Sequence, residues 1–237
     1  MTEERMSEDD HLTRAREALI EAALPHVVFD GWSREVLDRA VEETGIDAGL
    51  AQLAFPRGGV DMALGYHRML DRRLKAELER SGLDHMKIRE RIAFSVRRRL
   101  ELAAEHRDAV RRAATLLALP IYAADSARAI WETCDIIWTA CGDTSDDYNW
   151  YTKRAILASV YSATVLYWLG DESVGAMDTW QFLDRRIENV MQFEKAKAAA
   201  QKNPVARAAL WLPGQVASMI RPPHARRRGN GPGAGRG

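Results

Sequence analysis

The residues best suited to chemistry lie in the run Gly142-Asp143-Thr144-Ser145-Asp146-Asp147-Tyr148-Asn149-Trp150-Tyr151-Thr152-Lys153-Arg154. Three carboxylates this close are able to hold a cation or trade a proton. Thr144, Ser145 and Asn149 stand among them, however, and Ser, Thr, Asp and Asn are the residues that cap helix starts. Asp143, Asp146 and Asp147 are therefore read first as caps, with contact to a partner as the alternative. Arg154 carries a planar fork that donates two hydrogen bonds to a phosphate; a salt bridge to Asp143, Asp146 or Asp147 uses the same fork. Trp150 and Tyr151 are adjacent, so on a helix they diverge by about 100° and do not both enter the core. An exposed aromatic pair is an interface anchor; the alternative is Tyr151 buried with Trp150 alone exposed.

Elsewhere the chain offers little catalytic chemistry. Cys134 and Cys141 stand two helical turns apart, about 10 Å along an axis, too far for a disulfide. They read as small apolar core residues in a reducing compartment. The six histidines are scattered. No Cys/His spacing fits zinc, and no Glu-x-x-His pair fits a di-iron bundle. A P-loop, a GxGxxG turn and a nucleophile elbow are all missing from the sequence. The expectation is a non-enzymatic protein with no catalytic residue, no metal and no cofactor.

The elements that must position these residues are helical. Ala, Leu, Arg and Glu dominate, and apolar residues recur with the 3.6-residue period, so the fold class is all-α, with about nine or ten helices. The first is expected over 13–28, capped by Thr13. Ser33 caps a second that Gly45 ends, and Asp47 opens a short third. A fourth spans about 61–80, Asp84 opens a fifth to about 104, and a sixth runs 107–119. In the seventh, Ala127, Ile130, Trp131, Cys134, Ile137, Trp138 and Cys141 form one apolar face. The eighth, about 149–169, is apolar nearly all round and must be covered on every side. The ninth, about 176–197, places Trp180, Leu183, Ile187, Val190 and Met191 on one face. Five regions follow: an acidic disordered start (1–10), a helix-turn-helix-like module (11–82), a helical ligand-binding bundle (83–198), an amphipathic C-terminal segment (199–222) and a disordered basic tail (223–237).

The spacing of the first sixty residues resembles the N-terminal module of the tetracycline-repressor family. A reading helix needs cations for phosphates and donors for base edges. Here it would be Asp47-Ala48-Gly49-Leu50-Ala51-Gln52-Leu53-Ala54, with no Lys or Arg and Gln52 as its one base reader, so no nucleic-acid partner is expected. A repressor-type regulator with a hydrophobic ligand is the alternative function.

Charge sums to zero but is uneven. Five acids and one Arg occupy the first ten residues, while nine Lys and Arg and no acid follow from Lys195 onward. A basic end suits an anionic membrane surface or phosphate, or is merely solvated. Arg207, Trp211, Leu212 and Arg221 are the expected membrane-binding residues of an interfacial helix, although Pro213-Gly214 interrupts it. A helix packed on a dimer, or a disordered arm, is the alternative. The run 155–169 spans about 22 Å as a helix, short of a ~30 Å hydrocarbon core. The acidic start lacks an apolar stretch, so neither a secretory signal nor a transit peptide is expected.

GDTSDDYNWYTKRAIL at 142–157 and DTWQFLDRRI at 178–187 together resemble the Coq-nine family of ubiquinone-biosynthesis accessory proteins, over roughly 12–191. The resemblance implies a tetracycline-repressor-like fold that has lost DNA binding. It also implies an apolar pocket for an isoprenoid quinone or phospholipid, a homodimer, and partnership with the di-iron hydroxylase that acts on demethoxyubiquinone. By position, Arg154 matches the residue that meets a lipid headgroup, and Trp150 and Tyr151, beside Asn149, match the patch that engages the hydroxylase. Trp131, Trp138 and Tyr161, with small Ala158 and Ser162 leaving room on the eighth helix, are the expected pocket lining; close packing against that small face is the alternative. The expected location is cytoplasmic and peripheral on the inner membrane for a bacterial chain, as on the matrix side in eukaryotic relatives.

Overall fold

The computed structural model describes residues 2–145 and 148–202. Among the described residues there are nine α-helices, four short 3-10 turns and no strand. The helices are α1 (Thr2–Asp30), α2 (Arg34–Thr44), α3 (Ala48–Ala54), α4 (Gly59–Arg80), α5 (Ile88–Glu101), α6 (Arg107–Leu117), α7 (Ala123–Ala140), α8 (Tyr148–Gly170) and α9 (Met177–Lys202).

Local chemistry sets several of these limits. The Val36 N–H donates to Ser33 Oγ, and Gly45 closes α2 at φ 66, a left-handed turn that glycine enters without steric cost. Asp47 accepts the Leu50 N–H to open α3. A Cβ on Gly59 would sit 2.1 Å from the Trp32 carbonyl oxygen. Glycine there lets the start of α4 lie against the α1–α2 turn. Trp32 Nε1 in turn donates to the Ala109 carbonyl at 3.0 Å, tying the N-terminal module to α6.

Some sequence expectations need correction. α1 begins at Thr2, so Thr13 lies inside the helix rather than capping it; acids near a helix start favour such an extension through the helix dipole. Asp84 does not open α5. Leu83–His85 form a 3-10 turn, Met86 is extended, and α5 starts where Glu90 accepts the Lys87 N–H at 3.0 Å. Nor is α8 covered on every side. It buries Trp150, Arg154, Leu157, Val160, Tyr161, Thr164, Trp168 and Leu169, yet Ala155, Ser159 and Tyr167 are exposed and Leu166 is 67% exposed. Ala127 is also exposed; the buried face of α7 is Ala129, Thr133, Cys134 and Ile137.

The core forms two main apolar clusters bridged by α4. One joins α1, α2, α3, α6 and the end of α8; the other joins α5, α7, α8 and α9. Between them, α4 buries Met62, Ala63, Tyr66, Met69, Leu70, Leu74 and Leu78. No helix among the described residues is long and apolar enough to cross a membrane.

Candidate functional site

Two places gather polar groups against apolar surroundings. The first is the corner where α7 turns into α8. Gly142, at φ 81, turns the chain out of α7. Asp143 then accepts from Ser145 Oγ at 2.8 Å, Lys153 Nζ at 2.8 Å and Arg154 Nη1 at 2.9 Å. Burial alone would raise its carboxyl, but the hydrogen bonds from Lys153, Arg154 and Ser145 outweigh burial and bring it down to about 2. Arg154 is 2% exposed. Its Nε donates to Asp135 at 2.6 Å, its Nη1 also reaches the Trp150 carbonyl at 3.1 Å, and its guanidinium lies 4.0 Å from the Trp150 ring centroid.

This corner corrects two expectations. Arg154 does not open its fork to a headgroup at the surface; it is buried between Asp135 and Asp143, the salt-bridge alternative. Trp150 is not an exposed anchor either, for it is 6% exposed and packs 5.8 Å from Trp131 and 4.7 Å, edge-on, from Tyr151. Its indole covers the buried cation, an arrangement that cation–π attraction favours. Tyr151 is half-buried, while Asn149 and Tyr148 are exposed. Asp146 and Asp147 lie outside the described residues, as do the expected membrane-binding residues Arg207, Trp211, Leu212 and Arg221.

The second place is a cavity of about 250 Å³ walled by α4, α5, α6, α7 and α8. Its walls are mainly apolar, with Leu70, Leu100, Ala113, Leu117, Ile130 and Val165 among them. α6 and α8 are held together beside it: Arg107 Nη2 donates to the Trp168 and Asp171 carbonyls, and Arg111 Nη2 to the Leu169 carbonyl at 2.7 Å. These guanidinium groups hydrogen-bond carbonyls at and just past the end of α8, where the helix's own N–H donors run out.

Polar groups enter that cavity from one network. Arg99 Nε donates to Asp71 Oδ1 at 2.7 Å, and both side chains are almost wholly buried. Thr133 Oγ1 donates to Asp71 Oδ2 at 2.9 Å, and His67 Nε2 lies 2.8 Å from Thr133 Oγ1. Burial holds the His67 imidazole below its usual range, and burial pushes the Tyr66 and Tyr161 phenols up to about 12. All three rings stay uncharged at neutral pH.

Of the expected pocket residues, Tyr161 and Ser162 line this cavity. Trp138 instead lines a second one, about 230 Å³, between α5, α7, α8 and α9, and donates from Nε1 to the Lys153 carbonyl at 3.0 Å. Trp131 and Ala158 line neither: Trp131 packs on Trp150 and Tyr151, and Ala158 on the α5–α7–α8–α9 cluster. Sequence reasoning missed Tyr66, His67, Asp71 and Arg99. No local spacing announced them: Tyr66, His67 and Asp71 share α4, but their partners Arg99 and Thr133 stand on α5 and α7.

The cysteines offer no reactive thiolate. Both are buried, and burial pushes their thiols up to about 12 and about 11 for Cys134 and Cys141. On the helix-turn-helix module, α3 carries no cation. Gln52 accepts from Arg34 Nη2 at 2.6 Å and donates to the Pro56 carbonyl at 3.2 Å, so both ends of its amide are occupied.

Comparison with known proteins adds to this geometry. Residues 123–194 match the family model described as COQ9; the match takes in α7, the corner, α8 and most of α9. The chain is 30% identical over 183 residues to the ubiquinone biosynthesis protein COQ9, mitochondrial, of Drosophila melanogaster, covering 76% of this chain and 56% of that one. It is 29% identical over 180 residues to the protein of the same description from Homo sapiens, covering 73% and 56%. The chain thus spans little more than half the length of these curated relatives. Among solved structures, it is similar to a TetR transcriptional regulator from Nitrosomonas europaea ATCC 19718, with a TM-score of 0.61, 20% identity, and coverage of 74% of this chain and 97% of that one. At that identity the likeness shows the fold alone: the helices are arranged as in a TetR-type regulator.

Proposed function

The chain carries the COQ9-family segment at residues 123–194 and is similar to COQ9 proteins over about three quarters of its length, and from that premise we propose that it is a non-catalytic, lipid-binding accessory protein of ubiquinone biosynthesis. In this reading the cavity between α4 and α8 takes an isoprenoid quinone precursor or a phospholipid and presents it to the di-iron hydroxylase that acts on demethoxyubiquinone. The observation that carries the reading is the apolar cavity itself. A long isoprenoid is insoluble in water, and apolar walls with a few convergent polar groups are what such a ligand needs.

The same reading assigns roles to other surfaces. The hydroxylase meets the α7–α8 corner at Asn149 and Tyr151, while Trp150 and Arg154 hold that corner in shape from below. The uncovered side of α8, Ala155, Ser159 and Leu166, is covered by a second copy in a homodimer. The basic C-terminal segment rests on an anionic membrane surface, peripheral to the inner membrane. The relatives are named as mitochondrial.

The test is calorimetric titration of the full chain against the purified hydroxylase, together with hydroxylation of demethoxyubiquinone in vesicles. Binding and faster turnover are expected. No heat and no change in turnover would remove the hydroxylase from the account.

A further inference from the structure

The smaller concavity, of about 230 Å³ between α5, α7, α8 and α9, is a groove beside the α7–α8 corner. Leu157 and Ile187 form its buried floor. Its apolar walls are left half-buried at Ile92, Ile156 and Met191, and Ile88 on the rim is 41% exposed. The cations at its edge are already matched. Arg89 Nη1 lies 3.4 Å from Glu188, and Lys153 Nζ lies 2.8 Å from Asp143. Neither of these calls for an anionic headgroup, while the open apolar walls favour an apolar cover.

We propose that this groove is the docking site of the chain's own segment 205–220, which lies outside the described residues. Pattern is the first argument. Asn203 is a helix-capping type, and Pro204 suits a first helical position. Val205, Ala208, Ala209 and Leu212 then stand at i, i+3, i+4 and i+7, and Val216, Met219 and Ile220 continue the stripe at i+11, i+14 and i+15. A helix lays such a stripe into an apolar groove, with a bend at Pro213-Gly214. Charge agrees, for Arg207 is the one charged residue of the segment and falls off the stripe. Reach is the second argument. α9 carries Ile187 and Met191 in the groove and runs on to Lys202, about 16 Å past Met191 at 1.5 Å per residue. Folded back along α9, a helix over 205–220 spans about 23 Å, enough to pass Met191. A tether this short gives an effective concentration on the order of millimolar, an advantage that a free amphiphile or a partner's helix lacks. The docked segment keeps Arg207 and Trp211 on its outer side, and Asn149 of the corner borders the same groove. Under the proposed function, on which this consequence alone rests, docking holds the membrane-facing residues beside the surface that meets the hydroxylase.

The test is photocrosslinking in the full chain, with the photoreactive residue p-benzoylphenylalanine in place of Met219. Illumination is expected to join it to peptides of α5, α8 or α9 that line the groove, in a product with the mass of one chain. Ile88→Glu alters only the rim. It sits at the first position of α5, where an acid suits the helix dipole, so the fold stands. Val216→Glu alters only the stripe. Each is expected to lower the crosslink yield at least about five-fold, because each sets a charge against apolar surface. A product of doubled mass gives the groove or the segment to a second copy and overturns the inference. So do crosslinks that map to the mouth of the larger cavity at Leu119 and Ile121, a yield that neither variant changes, or no crosslink at all. None of these results bears on whether the α4–α8 cavity holds a lipid, which is measured separately.

Discussion

At the scale of single residues, burial decides what Trp150 and Arg154 are able to do. Arg154 is enclosed by Asp135, Asp143 and the Trp150 ring, and an ion pair in such a place loses far more when one partner is removed than it contributes as a pair. Trp150→Lys puts an ammonium group beside that guanidinium in apolar packing. It is expected to destabilise the fold by roughly 3–5 kcal/mol, seen as an earlier urea midpoint, whereas Trp150→Phe keeps most of the stability. A Trp150→Lys protein with a wild-type midpoint contradicts the buried assignment. Asp143 supplies a pH signature. Its folded-state carboxyl lies near 2, below its ordinary 3.8, so the charged form is favoured in the folded protein. That stabilisation, about 2 kcal/mol, is full above about pH 4 and is lost as pH falls through about 2. The stability gap between wild type and Asp143→Asn, measured by denaturation at stepped pH, should therefore shrink on acidification; a gap constant with pH contradicts the assignment.

Among the elements, what was legible in the sequence is what neighbours decide. Ser33, Gly45 and Asp47 cap α2 and α3 through contacts at most four residues away, so those helices were placed from sequence. The burial of Trp150 was not legible, because it depends on Trp131 from the preceding helix. The cavity network escaped for the same reason: His67 and Thr133 meet across 66 residues, and no local spacing announces the pairing. α8 shows the limit of pattern alone. Its all-round apolarity implied complete cover, but one side stays open in the single chain, which is where a second copy is proposed. Ser159→Arg lies on that side, away from the buried core, and is expected to convert a dimer into a folded monomer by light scattering after gel filtration. An undiminished dimer would move the interface elsewhere.

For the whole molecule, the proposed function gives a TetR-type arrangement a different end; its α3 carries no Lys or Arg, and Gln52 is held by Arg34 and the Pro56 carbonyl. What remains is a helical body with an apolar cavity, a shaped α7–α8 corner and a basic C-terminal segment. Truncation after Asn203 is expected to lower flotation with anionic liposomes, most at low salt, since exposed charges are screened beyond about 10 Å at 0.1 M. Equal flotation of both proteins argues against that anchor. The central claim is that the cavity holds a lipid. Native mass spectrometry of the full chain purified from cells measures it directly: the account predicts a mass increment that fragments to a quinone precursor or phospholipid. A bare chain that also takes up neither when offered them contradicts it.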